Sequence, residues 1–152
     1  MKENNMSAPK KTICSVLILL MFSLIQFAPG FQSPSTAQKM PLIPELEKIM
    51  DAKTTTIVLL YGYICLGCPL GIYIYSVRDR QDTLFVVPSQ YKPNEVENLR
   101  RAFSLKCRIV KGDDPNIEVF VNKLGEQLKI DKTQRNLILE IKDRTIVKIR
   151  YY

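Results

Sequence analysis

From Thr56 to Ile64 the chain is a run of β-branched, aliphatic and aromatic residues interrupted only by Gly62. A strand with one wet face alternates apolar with polar side chains. A run with no polar face suits a strand buried on both sides. Cys65-Leu66-Gly67-Cys68-Pro69 comes next, with nothing between. Two cysteines at this spacing can close a disulfide, share a metal or do neither, and the fold that presents them decides which.

The residues after the motif are ambiguous taken alone. Ile72, Tyr73, Ile74 and Tyr75 favour a strand on propensity, which would set the cysteines at a hairpin tip as in a zinc knuckle. Pro69 just inside the start and the charged tail Arg78-Asp79-Arg80 favour a helix, and the next element supports the helix. Residues 83–88 form another short buried strand. Residues 93–103 form a helix, opened by Pro93 and Glu95, ended by Arg100 and Arg101, with Val96, Leu99, Ala102 and Phe103 on one face. Residues 105–110 alternate like a third strand, stopped by Gly112-Asp113-Asp114-Pro115. A helix over 116–128 turns Val119, Phe120, Val121, Leu124 and Leu128 to its apolar side. Residues 136–142 and 145–152 flank Asp143-Arg144 as a two-strand hairpin. Upstream, residues 44–52 form a short helix with Leu46, Ile49 and Met50 at helical spacing, after a turn-rich linker over 31–41. Strands alternating with helices predict an α/β fold, a central mixed sheet whose parallel crossovers are covered by helices.

The first 30 residues are of another kind. Lys10-Lys11 precede an apolar run over 13–28, with leucine, isoleucine and phenylalanine on every side of a helical wheel. That is the pattern of a secretory signal, with Ala28-Pro29-Gly30 offering small residues for cleavage. At about 16 residues the run is marginal for spanning roughly 30 Å of hydrocarbon, and an uncleaved anchor is the competing reading. In either case the segment engages the membrane, and the basic flank places the downstream domain outside the cytoplasm. The predicted organisation is a signal peptide or anchor over 1–30, a linker over 31–41 and one domain over 42–152.

Charge and composition remove several function classes. The net charge is +7, and residues 1–30 hold three lysines and one glutamate, so the rest carries +5. Acidic residues are interleaved with the basic ones, leaving no basic stripe for nucleic acid. The chain has no histidine. Histidine-containing triads and zinc sites are therefore excluded, as is the commonest general acid/base near neutral pH. A zinc site typically takes four cysteine or histidine ligands, and only Cys107 could join Cys65 and Cys68. Cys107 itself reads as a core residue of its strand, and Cys14 lies in the export segment. No serine or threonine stands three residues before either motif cysteine, as peroxidase chemistry of the peroxiredoxin kind would need.

In this order of elements the sequence resembles a thioredoxin-like domain. It is most similar to the exported, membrane-associated thiol–disulfide oxidoreductases of the TlpA/ResA type, related to the AhpC/TSA group. The resemblance covers about residues 42–152. It rests on a buried strand running through Tyr61-Gly62-Tyr63-Ile64 into Cys65-Leu66-Gly67-Cys68, on residues 105–115 ending in Asp114-Pro115, and on the terminal hairpin. It implies that Cys65 attacks and Cys68 resolves, with no cofactor. Partners would be protein thiols and disulfides at the periplasmic or extracytoplasmic face, with a redox protein of the membrane as a further candidate. The chain differs from the family at three points. Residues 131–135 hold no proline where the family has a cis-proline before the hairpin. Ile64 stands where an aromatic residue usually precedes the first cysteine. No acidic residue lies in 56–64.

At the start of a helix, a thiol meets the positive end of the helix dipole and unpaired backbone amides, which favour the thiolate. The expectation is that Cys65 occupies that place, exposed, with Gly67 leaving its approach open. The alternative is a catalytically inactive thioredoxin-like interaction module with a structural disulfide.

Overall fold

The computed structural model describes residues 35–152 apart from 38, 132 and 134. The export segment expected over 1–30, with Cys14, lies outside these residues. Among the described residues no helix is long and apolar enough to cross a membrane.

Among the described residues the elements run in the order β1 (Ser35–Thr36), β2 (Met40–Pro41), α1 (Pro44–Ile49), β3 (Thr56–Leu60), α2 (Pro69–Val77), β4 (Thr83–Pro88), α3 (Pro93–Phe103), β5 (Arg108–Gly112), α4 (Pro115–Gln127), β6 (Asn136–Lys142) and β7 (Thr145–Tyr151). The strands make one seven-stranded sheet in the order β1-β7-β6-β3-β4-β5, with β2 also on β7. β3 runs parallel to β4 and antiparallel to β6, with Val58 level with Phe85 on one side and Ile138 on the other. β4 and β5 are parallel, and β6 and β7 antiparallel. The fold is thus mixed α/β, a mixed sheet flanked by helices.

β3 lies inside the sheet because nothing in it can face water. Ile57 and Leu59 enter one core layer with Leu46 of α1 and Ile117, Val121 and Leu124 of α4. Val58 and Leu60 enter the other, with Leu70, Ile74 and Val77 of α2 and Leu99 and Phe103 of α3. All four β3 side chains are fully buried, each contributing about 1.5–3 kcal/mol relative to exposure. α2 shows the helical period directly: Leu70, Ile74 and Val77 are buried while Ile72 and Tyr75 face out. A strand would have alternated instead.

Local signals end the elements where the chemistry requires. At α3, Pro93 takes the first helical position, the Glu95 carboxylate accepts from Lys92 N at 2.6 Å, and Ser104 turns left-handed at φ 52. At α4, the Asp114 side chain accepts from Asn116 N at 3.0 Å. Asp143 and Arg144 have φ 50 and 57, the pair of left-handed residues that a tight hairpin turn takes.

Several boundaries differ from those expected from the sequence: the helix expected over 44–52 ends at Ile49, and the strand from Thr56 ends at Leu60. β5 starts at Arg108, because Leu105 and Lys106 donate to Arg100 O and Arg78 O, closing α3 and tying it to the end of α2. Residues 35–36 and 40–41, read as linker, each form a two-residue ladder with β7. Such short pieces pair through backbone alone and leave no periodicity to read.

Candidate functional site

The cysteine motif sits beyond the carboxyl end of β3, where the chain crosses to α2. The helix begins at Pro69 and its N-cap is Cys68. Cys65 therefore precedes the helix by a turn, and the place at the helix end expected for Cys65 belongs to Cys68. Ile72 N donates to Cys68 O at 3.0 Å as the first helical bond. The turn is folded hard onto the helix. A Cβ at Gly71 would lie 2.1 Å from Cys65 O and 2.7 Å from Leu66 O, so only glycine admits this approach. Around Gly67 nothing lies within 4 Å, leaving the outer side of the motif open.

Cys65, Cys68 and Cys107 carry free thiols. As a thiol, Cys68 Sγ donates to Cys65 O at 2.9 Å. The two thiols are shifted in opposite directions. The hydrogen bond with Cys68 is the main cause holding the Cys65 thiol above its ordinary value, with burial and the Cys68 charge adding to it. Burial works against ionising Cys68. The hydrogen bond from Cys65 and the amides of Gly71, Cys65 and Leu70 outweigh it, and the Cys68 thiol is lowered. Of the two, Cys68 is the thiol that ionises more readily, as a helix N-terminus favours. Both cysteines are half-buried, so Cys65 is not exposed as expected, but their surroundings differ. Cys68 packs against the α2/α3 core layer beside Ile64 and Tyr73, while Cys65 stands outside that layer.

Thr133, Arg135 and Asn136 meet the motif's approach loop. Gly62 N donates to Asn136 Oδ1 at 2.9 Å, and Asn136 Nδ2 donates to Tyr63 O at 2.9 Å. Tyr63 N donates to Thr133 O at 3.0 Å. A Cβ at Gly62 would come within 2.8 Å of both Arg135 N and Thr133 O. Arg135, only 5 % exposed, lies over Gly125 and donates to the Asn122 side chain, pinning the same segment to α4. Where the family has its proline, Thr133 is thus held by a backbone bond from Tyr63 N and Arg135 by its side chain, and no peptide bond among the described residues is cis.

Beside the cysteines a groove of about 490 Å³ runs between this loop and α3, lined by Tyr63, Ile64, Leu66, Tyr91, Leu99 and Phe103 among others. Tyr63 and Leu66 stand 79 % and 65 % exposed at its edge. Cys107 is 1 % exposed in the core. It precedes Arg108, which is level with Leu84 near the start of β4, so it lies at the end of the sheet opposite the motif and cannot join it.

Sequence reasoning brought out Cys65 and Cys68 and missed Gly62, Gly71, Arg135 and Asn136. Asn136 did leave a mark, as the one amide side chain opening an apolar strand. Comparisons with protein-family models, with curated proteins and with solved structures found no match to this chain.

Proposed function

We propose that this chain is an extracytoplasmic thioredoxin-like thiol–disulfide oxidoreductase working through Cys65 and Cys68. One observation carries the reading: the pair stands between the carboxyl end of a fully buried central strand and a helix capped by Cys68. The mixed sheet, with β3 parallel to β4 and antiparallel to β6 of a hairpin, supports the thioredoxin-like assignment. Cys65, the outer sulfur, attacks a substrate disulfide. As it does so its proton passes to Cys68, which accepts it as the thiolate, the new S–S bond forms, and the first substrate sulfur leaves as a thiolate. Cys68 then gives up that proton and attacks Cys65. The mixed disulfide breaks, the second substrate sulfur leaves as a thiolate, and one of the two leaving thiolates takes up the proton that Cys68 released. The substrate is reduced by two electrons and Cys65–Cys68 becomes a disulfide; run backwards, the same steps oxidise a dithiol. The apolar groove beside Cys65 receives the polypeptide around the substrate disulfide, and the segment over 1–30 brings the domain to the outer face of the membrane.

The test is disulfide exchange with insulin, combined with thiol alkylation across pH. The wild type speeds exchange; Cys65→Ser abolishes this, and Cys68→Ser stops turnover while trapping a mixed disulfide. Cys68→Ala brings Cys65 down toward the ordinary thiol value of about 8.5, because the neighbour that raises it is gone. Exchange unaffected by either serine, or absent from the wild type, overturns the proposal. A partner held equally well with both cysteines replaced then identifies an inert interaction module.

A further inference from the structure

β3 and β6 remain in register up to Leu60 opposite Asn136. Beyond that pair the backbone ladder stops, and the peptide groups leading to the cysteines need other partners. The Asn136 side chain supplies them, accepting from Gly62 N and donating to Tyr63 O, both at 2.9 Å. It behaves as one more rung of the sheet, made by a side chain. Asn136 is itself immobilised, 1 % exposed, with its carbonyl accepting from Tyr152 N at 3.0 Å. Tyr63 N, bonded to Thr133 O, adds a third tie to the same two residues. On the far side of the motif, the close contact of Gly71 with Cys65 O fixes the turn against α2. Cys65 thus hangs between two anchors, one at Gly71 and one at Asn136.

We infer that Asn136 is a positioning residue for the cysteine pair, holding Cys65 within reach of Cys68; the inference rests on the redox reading above. With the Asn136 anchor removed, the backbone at Gly62 and Tyr63 keeps only the Tyr63 N–Thr133 O bond, its position is less closely fixed, and the local concentration of one sulfur at the other falls. Closing the disulfide then costs more ordering, which moves the dithiol–disulfide equilibrium toward the open form. Cys65 and Cys68 also hydrogen-bond less closely, so the separation between their titrations narrows.

The experiment measures that equilibrium in a glutathione redox buffer for the wild type, Asn136→Asp and Asn136→Leu. Asn136→Asp keeps the shape and the acceptor while losing the donor to Tyr63 O. Leu139→Ala serves as control, because Leu139 lies on the same strand, level with Ile57 and away from the loop, so it lowers stability without touching the anchor. Both Asn136 variants are expected to shift the closing equilibrium at least tenfold toward the dithiol, with their alkylation pH profiles drawn together, while Leu139→Ala shifts it less than twofold. Should a position-136 variant not fold, Gly62→Ala presses on the same contact from the other side and is expected to shift the equilibrium in the same direction. Variants at 136, or Gly62→Ala, that move the equilibrium no more than Leu139→Ala overturn the inference and leave the redox reading standing. A wild-type pair that forms no reversible disulfide overturns both.

Discussion

At position 71 a hydrogen atom is all the structure admits. The atoms a Cβ would strike are backbone atoms of Cys65 and Leu66, which cannot rotate away as a flexible side chain could. Replacing glycine by alanine inside a helix ordinarily gains about 0.5–1 kcal/mol. Here the overlap reverses the sign, and overpacking of this kind costs about 1–3 kcal/mol. Gly71→Ala is expected to lower the urea midpoint and to expose the motif to faster alkylation. Gly67→Ala meets open space and is expected to stay within about 0.5 kcal/mol of the wild type. Equal effects at the two glycines would show that the turn is not seated on α2 as described. This difference between two nearby glycines is invisible in sequence, where both are punctuation near a cysteine motif. Cys65 and Cys68 were legible because their spacing and the apolar run before them carry chemistry. Asn136 and Gly62, 74 residues apart, act through contacts between their two segments, and a single sequence does not show such pairs.

Among the elements, those with a repeating pattern or a turn signal were the ones that could be read. α3 and α4 each bury one face and the β6–β7 hairpin is marked by its turn, although β6 is covered on both faces, with Leu137 and Leu139 in one layer and Ile138 in the other. β3 is shorter than the apolar run that announced it. Residues 61–64 are apolar because Tyr61 and Ile64 pack on opposite core layers while the backbone between them turns to Asn136. The amino ends of β3 and β4 are tied in a way that can be measured. Thr55 N and Thr56 N donate to Asp82 O at 2.9 and 3.2 Å, and Thr55 Oγ1 donates to the Asp82 carboxylate at 2.7 Å. The Arg80 guanidinium bonds the same carboxylate, and with Thr55 holds Asp82 well below the usual carboxylate range. A carboxyl group whose folded pKa is depressed stabilises the fold fully above its unfolded pKa of about 3.9, and that contribution is lost as pH falls through the folded value. Because the site is partly exposed, the contribution stays below about 1 kcal/mol. Asp82→Asn should therefore be slightly less stable than the wild type at neutral pH in chemical denaturation. The gap should close in strong acid; a gap that persists there would assign the effect to packing and not to charge.

For the molecule as a whole, the sheet divides the interior into two layers, and Tyr61 shows what that arrangement costs. It leaves β3 into the layer of α1 and α4, with its hydroxyl over Gly112, where a Cβ would lie 2.5 Å away. That hydroxyl is buried with no hydrogen-bond partner among the described residues. Burial, reinforced by the charges of Glu118 and Asp113, pushes its pKa up to about 12 from an ordinary 10.0. An acid whose folded pKa is raised holds its proton in the fold after the unfolded chain has released it. Stability is therefore unaffected by Tyr61 up to about pH 10, and falls by at most about 1.4 kcal/mol per pH unit between there and the folded value. The ring is only half-buried, and solvent screening brings the total loss to about 1–2 kcal/mol, still a sizeable share of a typical 5–15 kcal/mol. Tyr61→Phe keeps the ring, removes the unpartnered hydroxyl and removes this dependence. Guanidinium denaturation at neutral pH should find it at least as stable as the wild type, since a buried unsatisfied hydroxyl costs about 1–3 kcal/mol. Near pH 11.5 its advantage should grow by about 1 kcal/mol more. Other tyrosines titrate in both proteins and cancel in the difference. An alkaline decline of the same size in wild type and variant would mean that Tyr61 ionises like an exposed phenol, and that the α1/α4 layer is open to water at the end of the sheet where the cysteines lie.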